Sequence, residues 1–142
     1  MATTTFLSNA TISITQGATT TDLSDQANQV SLTIGQTALS STAFGDSGER
    51  MVGGLQSVDC SITFFLSYGA AEVEAILASC VGTGTTILTI SPSGTSESAT
   101  NPEYVITNTM LANFTPINST VGELATVEAS FTGGTWVRDV TA

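Results

Sequence analysis

Apolar and polar residues alternate with a period of two along most of this chain. That pattern confines it to extended strands whose two faces meet different surroundings. The run NQVSLTI puts Val30, Leu32 and Ile34 on one face and Ser31 and Thr33 on the other. VDCSITFFL sends Val58, Cys60, Ile62, Phe64 and Leu66 inward and Asp59, Ser61 and Thr63 outward. Further strands are expected at ATISIT near the start, at TTILTISP up to Pro92, and at PEYVITNTMLANFTPI, a long strand or a bent pair. ELATVEASFTGGTW closes the set with Leu124, Val127, Ala129 and Phe131 as core candidates, its register restored by a bulge near Ala125 and Thr126.

One segment leaves the pattern. In SYGAAEVEAILASCVG, Val73, Ile76, Leu77 and Cys80 recur at helical spacing. Glu72 and Glu74 suit the positive end of the helix dipole, and Gly82 suits its C-terminal cap, so a helix is expected over about 68–81. The expected fold is mainly β: an antiparallel β-sandwich or partly closed barrel, flanked by that helix, in a single domain over residues 1–142. Residues 1–20 read as an arm-like N-terminal segment. The polar stretch 91–102 reads as an exposed hairpin tip. A long inter-strand loop is expected over about 35–54. It carries Leu39, Phe44 and Met51 among glycines, so it reads as an arm that packs on something.

Charge excludes several functions. The chain has 12 acids, only two cations (Arg50 and Arg138), no Lys and no His, for a net charge of −10. A basic patch for DNA or RNA cannot be built, and anionic membranes repel such a surface. Charged residues are only 10% of the chain, and Ser and Thr fill the polar positions. Short neutral hydroxyls suit either burial against other copies or the skin of an extracellular β-domain. The first residues, MATTTFLSNATISI, lack a basic region and a continuous apolar core, so no signal peptide is expected. No stretch is long and apolar enough to predict membrane insertion. Cys60 and Cys80 fall on faces that look buried and read as reduced core thiols.

The tetrapeptide Gly45-Asp46-Ser47-Gly48 matches the surroundings of a trypsin-like nucleophile. A serine nucleophile needs a base to take its proton, normally His and sometimes Lys. This chain has neither. Metal-binding His or Cys spacing, a calcium loop and a phosphate-binding glycine loop are also missing. A chain with 6% aromatics is poorly stocked for a sugar cleft. No catalytic, cofactor or metal residues are assigned, and no cofactor is expected.

Three stretches in order carry a family resemblance: DLSDQANQVSLTIG, then TALSSTAFGDSGERMVGGLQSVDCSITFFLSY, then NPEYVITNTMLANFTPINSTVGELATVEASFTGG. Over residues 21–134 the chain resembles the major tail proteins, or tail tube proteins, of long-tailed, siphovirus-like bacteriophages. The resemblance implies a β-sandwich or barrel with one flanking helix. It implies self-assembly into sixfold rings stacked as a hollow tube through which DNA passes into the host without specific binding. It also implies partnership with tape-measure, tail terminator and distal tail proteins, and a place in the virion tail after synthesis in the host cytoplasm. The loop 35–54 would then reach a neighbouring subunit or ring, with Leu39, Phe44, Asp46, Glu49, Arg50 and Met51 as its interface residues. Phe44 and Met51 are its apolar anchors. Arg50 pairs either with Asp46 or Glu49 nearby or with an acid on another copy.

Acids and hydroxyls lining such a channel would let a polyanion slide without sticking. Asp59, Ser61 and Thr63 on one strand, Glu128 on another and Glu103 at the start of a third are the candidate lumen residues; the alternative is an ordinary solvated face. A virion decoration protein or an adhesin-like surface domain would share the composition. An enzyme, such as a hydrolase, is disfavoured by the missing His and Lys.

Overall fold

The structure, a computed structural model, describes residues 10–94 and 96–141. The elements in chain order are β1 (Thr11–Gln16), β2 (Thr19–Asp22), β3 (Ala27–Ser40), β4 (Met51–Phe65), α1 (Val73–Cys80), β5 (Thr86–Ser91), β6 (Glu103–Phe114), β7 (Thr126–Thr132) and β8 (Thr135–Asp139). They form one open antiparallel sheet in the order β2-β1-β5-β6-β7-β4-β3, with β8 also paired to β6. The sheet folds over onto itself in the manner of a sandwich, and both halves share one core with α1. Ile14, Ile62, Phe64, Leu77, Leu88, Ile106, Val127 and Phe131 are all buried in it. Each such side chain contributes about 1.5–3 kcal/mol relative to exposure.

The fold-over happens along β6. Asn108 adopts a left-handed φ of 60°, so the inward set passes from Ile106 to Thr109 and Leu111 instead of keeping strict alternation. On one side of this bend β6 pairs with β8, from Glu103↔Asp139 to Thr107↔Thr135. On the other it pairs with β7, from Met110↔Thr132 to Phe114↔Ala129. β7 and β8 are therefore one strand, interrupted at Gly133 and Gly134 where β6 bends. Gly133 N–H donates to Val58 O at 2.9 Å. A Cβ on Gly134, whose φ is 93°, would stand 2.4 Å from Thr107 O.

The Asp-Leu-Ser sequence that opens the family-like stretch has a structural role. Asp22 Oδ1 accepts from Ser24 N–H at 2.9 Å and also from the Ser24 hydroxyl. Ser24 Oγ in turn accepts from Ile12 N–H at 2.8 Å, and Leu23 is buried between them in the core. This turn fastens β2 back onto β1 before β3 begins. Residues 11–16 and 19–22 are thus built into the sheet, which corrects the arm-like reading of residues 1–20; residues 1–9 lie outside the described residues.

The helix starts later than its periodicity suggests. Gly69 and Ala71 both have positive φ, at 143° and 64°, so residues 68–72 turn rather than coil. Ser67 Oγ then accepts from Val73 N–H at 3.3 Å and donates to Gln26 Oε1 at 2.7 Å, tying the first turn to the start of β3. Gly82, at φ 75°, follows the helix as expected.

The 91–102 connection joins β5 to β6 and is closed by Asn101 Nδ2 donating to Ser96 O at 3.2 Å. Leu124 is exposed, which corrects its placement in the core. β7 begins only at Thr126, so no bulge is needed there, and Ala125 is held outside the strand by Leu66 N–H donating to its carbonyl at 2.9 Å.

Cys60 and Cys80 are free, buried thiols. Burial pushes the Cys60 thiol up to about 12. The thiolate is the reactive form. Native Cys60 should therefore resist alkylation at pH 8 and react at the ordinary rate only in denaturant; rapid labelling of folded protein would contradict its burial. Since the unfolded chain can ionise Cys60 and the folded chain cannot, its contribution to stability is complete below the ordinary thiol range. It is lost as pH rises from there toward 12.

Candidate assembly surface

The expected 35–54 loop is mostly strand. Gly35–Ser40 and Met51–Ser57 pair with each other, from Gly35↔Ser57 through Ser40↔Met51, while β4 meets β7 only from Asp59 onward. The result is a two-stranded ribbon whose only loop is residues 41–50. The ribbon has solvent on both faces, so no hydrophobic alternation is required of it, and its sequence reads as irregular. Between Gln36 and Ala38 the register slips. The residues opposite Thr37 form a bulge, and Leu55 there points to solvent.

The tip is held by local bonds. Ser41 N–H donates to Arg50 O at 2.8 Å, and Arg50 N–H donates to Thr42 Oγ1 at 3.0 Å. Asp46 Oδ2 accepts from Ala43 N–H at 2.8 Å, and Asp46 Oδ1 lies 3.6 Å from Arg50 Nη1. Within the one chain, the acid that meets Arg50 is Asp46. Gly45, at φ 96°, makes the reversal that aims Phe44 outward. Phe44 is fully exposed, and Leu39 and Met51 are about half exposed. Glu49 and Ser47 are also exposed, and Ser47 has no imidazole or amine anywhere in the chain to take its proton.

Four of the five candidate lumen residues lie together. Rows across three strands read Thr33-Asp59-Thr132, Ser31-Ser61-Ser130 and Gln29-Thr63-Glu128. These residues form the outer face of β3, β4 and β7, with two acids and no cation. Asp59 Oδ1 accepts from Thr132 Oγ1 at 2.9 Å, and Glu128 Oε1 accepts from Ser61 Oγ at 3.1 Å. Glu103 is elsewhere, beyond the bend of β6 and opposite Asp139. Partial burial, a hydrogen bond with Glu97 and the charges of Glu97 and Asp139 raise its carboxyl above the usual range. Asp139 is lowered by the backbone N–H and hydroxyl of Thr141.

A second apolar surface was not legible in the sequence. Residues 115–125, between β6 and β7, expose Ile117, Val121 and Leu124. The segment is anchored by Tyr68 Oη donating to Pro116 O at 2.7 Å and by Asn118 Nδ2 donating to Thr126 O at 3.3 Å. Its signal was available in hindsight: three large apolar residues in a stretch with turn residues Pro116, Asn118 and Gly122 and no alternation.

An open antiparallel sandwich-like sheet with one helix and a long projecting ribbon defines the class. No protein-family model and no curated protein matches the chain. Solved structures share its fold. A chain from the sheath/tube terminator of an extracellular contractile injection system, PVC, in its extended state aligns with a TM-score of 0.70 at 15% identity, covering 97% of this chain and 98% of the other. A chain from the tube-terminating cap of the anti-feeding prophage aligns at 0.65 and 11% identity over 99% and 95%. A chain from the virion of a native gene transfer agent particle aligns at 0.64 and 10% identity over 90% and 95%. These neighbours come from tail and injection assemblies, and none is described as an enzyme.

Proposed function

We propose that this chain is a tail tube subunit of the long-tailed-phage kind, a non-enzymatic virion protein that polymerises into stacked sixfold rings. The observation that carries this reading is the projecting ribbon. Its tip presents Phe44 fully exposed and Leu39 and Met51 about half exposed among the described residues. Large apolar side chains gathered on a rigid projection mark a surface made for another protein. In the ring, the sheet edge β3 joins a neighbouring subunit, which removes a long free edge.

The face bearing Asp59, Ser61, Thr63 and Glu128 turns to the lumen, and the absence of cations there lets DNA pass without being held. Glu103 lies apart from that face, opposite Asp139. Tape-measure, terminator and distal tail proteins are the proposed further partners, and the virion tail the proposed location.

Negative-stain microscopy of the purified protein, from low to moderate salt, tests the proposal. Hollow tubes or sixfold rings are expected. Each subunit carries a net charge of −10, so moderate salt should promote assembly or leave it unchanged, because it screens repulsion between copies. Discrete oligomers without sixfold ring symmetry, or tubes that dissolve as salt is added, would overturn it.

A further inference from the structure

The two halves of the folded sheet do not close completely. On the β3 side a groove of about 430 Å³ runs between Val30, Leu32 and Ile34 on one wall and Ile90, Pro92 and Tyr104 on the other. It is the inward face of β3 left partly uncovered among the described residues, Ala10 also borders it, and its walls are predominantly apolar. Arg138 is directly cross-strand from the lining residue Tyr104 in the β6–β8 ladder and so shares its face. Arg138 is exposed, and the one ion pair among the described residues is Arg50–Asp46. The groove thus combines an apolar trough with an uncommitted positive charge, in a chain with only two cations.

The ribbon tip has the complementary chemistry. Phe44 is a fully exposed aromatic, and the acids Asp46 and Glu49 lie close to it in sequence. Arg50 occupies Asp46, leaving Glu49 as the uncommitted acid. The tip cannot serve its own groove. It is carried about 20 Å beyond Ile34 at ~3.3 Å per residue, on strands paired as far as Ser40↔Met51.

We propose that Phe44 of one copy inserts into the groove between β3 and the β5–β6 end of a second copy, with Glu49 facing the second copy's Arg138. This inference rests on the assembly reading of the ribbon and adds its acceptor. A heterologous contact of this kind, tip to groove, repeats from copy to copy and can close a ring or continue a stack.

The test mixes two single variants, Ala43→Cys beside the inserting Phe44 and Ala10→Cys at the groove, over a concentration series, joins them with a short bismaleimide and identifies products by mass spectrometry. The buried native thiols provide a low background. A heterodimer joined at these two positions, increasing with concentration and well above an Ala43→Cys/Ser98→Cys control pair, is expected. Charge exchange provides the second arm. Arg138→Glu and Glu49→Arg should each raise the concentration needed for assembly about tenfold or more by placing like charges together, and the double variant should recover most of that loss.

No heterodimer above the control, or no recovery in the double variant, overturns the groove assignment. An intrachain link between Ile34→Cys and Phe6→Cys would make residues 1–9 the occupant and also overturn it. If Phe44→Ala assembles like the parent, the ribbon reading itself fails. If Phe44→Ala fails to assemble while the groove link is missing, the ribbon reading stands and only the acceptor is wrong.

Discussion

Gly134→Ala is expected to lower the melting temperature by roughly 10 °C or more, the largest single-residue stability loss anticipated for a change this small. The new Cβ would stand 2.4 Å from Thr107 O and 3.0 Å from Thr109 N, and those backbone atoms belong to the bend of β6. The residue also sits at φ 93°, which an L side chain adopts only with strain. Backbone strain costs about 1–3 kcal/mol, and overpacking costs a similar amount. Gly122→Ala separates the two effects. Gly122 has nearly the same φ, 88°, with nothing near its added methyl, so its variant should show the strain alone. Circular dichroism melts of both proteins measure the difference. Equal shifts would mean that the close approach at Gly134 contributes nothing.

The second large effect is on assembly and leaves the fold intact. The double variant Phe44→Ala, Met51→Ala should melt within about 2 °C of the parent, because exposed side chains contribute little to the stability of the isolated subunit. It should raise the concentration needed for tubes by roughly 100-fold or more, since truncating a buried aromatic at an interface costs about 3 kcal/mol or more. Sedimentation and melting curves on the same samples decide the matter. A variant that unfolds would return these residues to the core, against their exposure; one that polymerises normally would remove the tip from the interface.

The strands with one face on the core were legible because burial imposes alternation. Val58, Cys60, Ile62 and Phe64 in β4 and Val127, Ala129 and Phe131 in β7 are buried as their spacing implies. The ribbon was misread as a loop for the same physical reason: with no buried face it has no alternation to display. Leu124 followed the pattern in print but stands outside β7, because local spacing does not reveal where a strand begins. The helix start depended on left-handed turns at Gly69 and Ala71, and only the glycine hints at one. The outward row of Asp59, Ser61 and Thr63 was readable, whereas its alignment with Glu128 and its separation from Glu103 are matters of register between strands distant in sequence. The groove beside β3 was invisible for the same reason. It exists only because β3 and the β5–β6 end come near one another without sealing.

The central place of β7 has a consequence for how the chain reaches this state. β3 and β4 form one antiparallel pair, and β1, β2, β5 and β6 form another antiparallel group, each from partners that precede β7 in the chain. Only β7 is paired within the sheet to a strand of each group, with β4 on one side and β6 on the other. The continuity of the sheet from one group to the other therefore runs through β7 alone. The β4–β7 pairing, like that of β1 with β5, joins residues distant in sequence, and such pairing carries loop-closure entropy and slows folding. On the ribosome, the strand that joins the two groups within the sheet emerges only after the strands of both have been made.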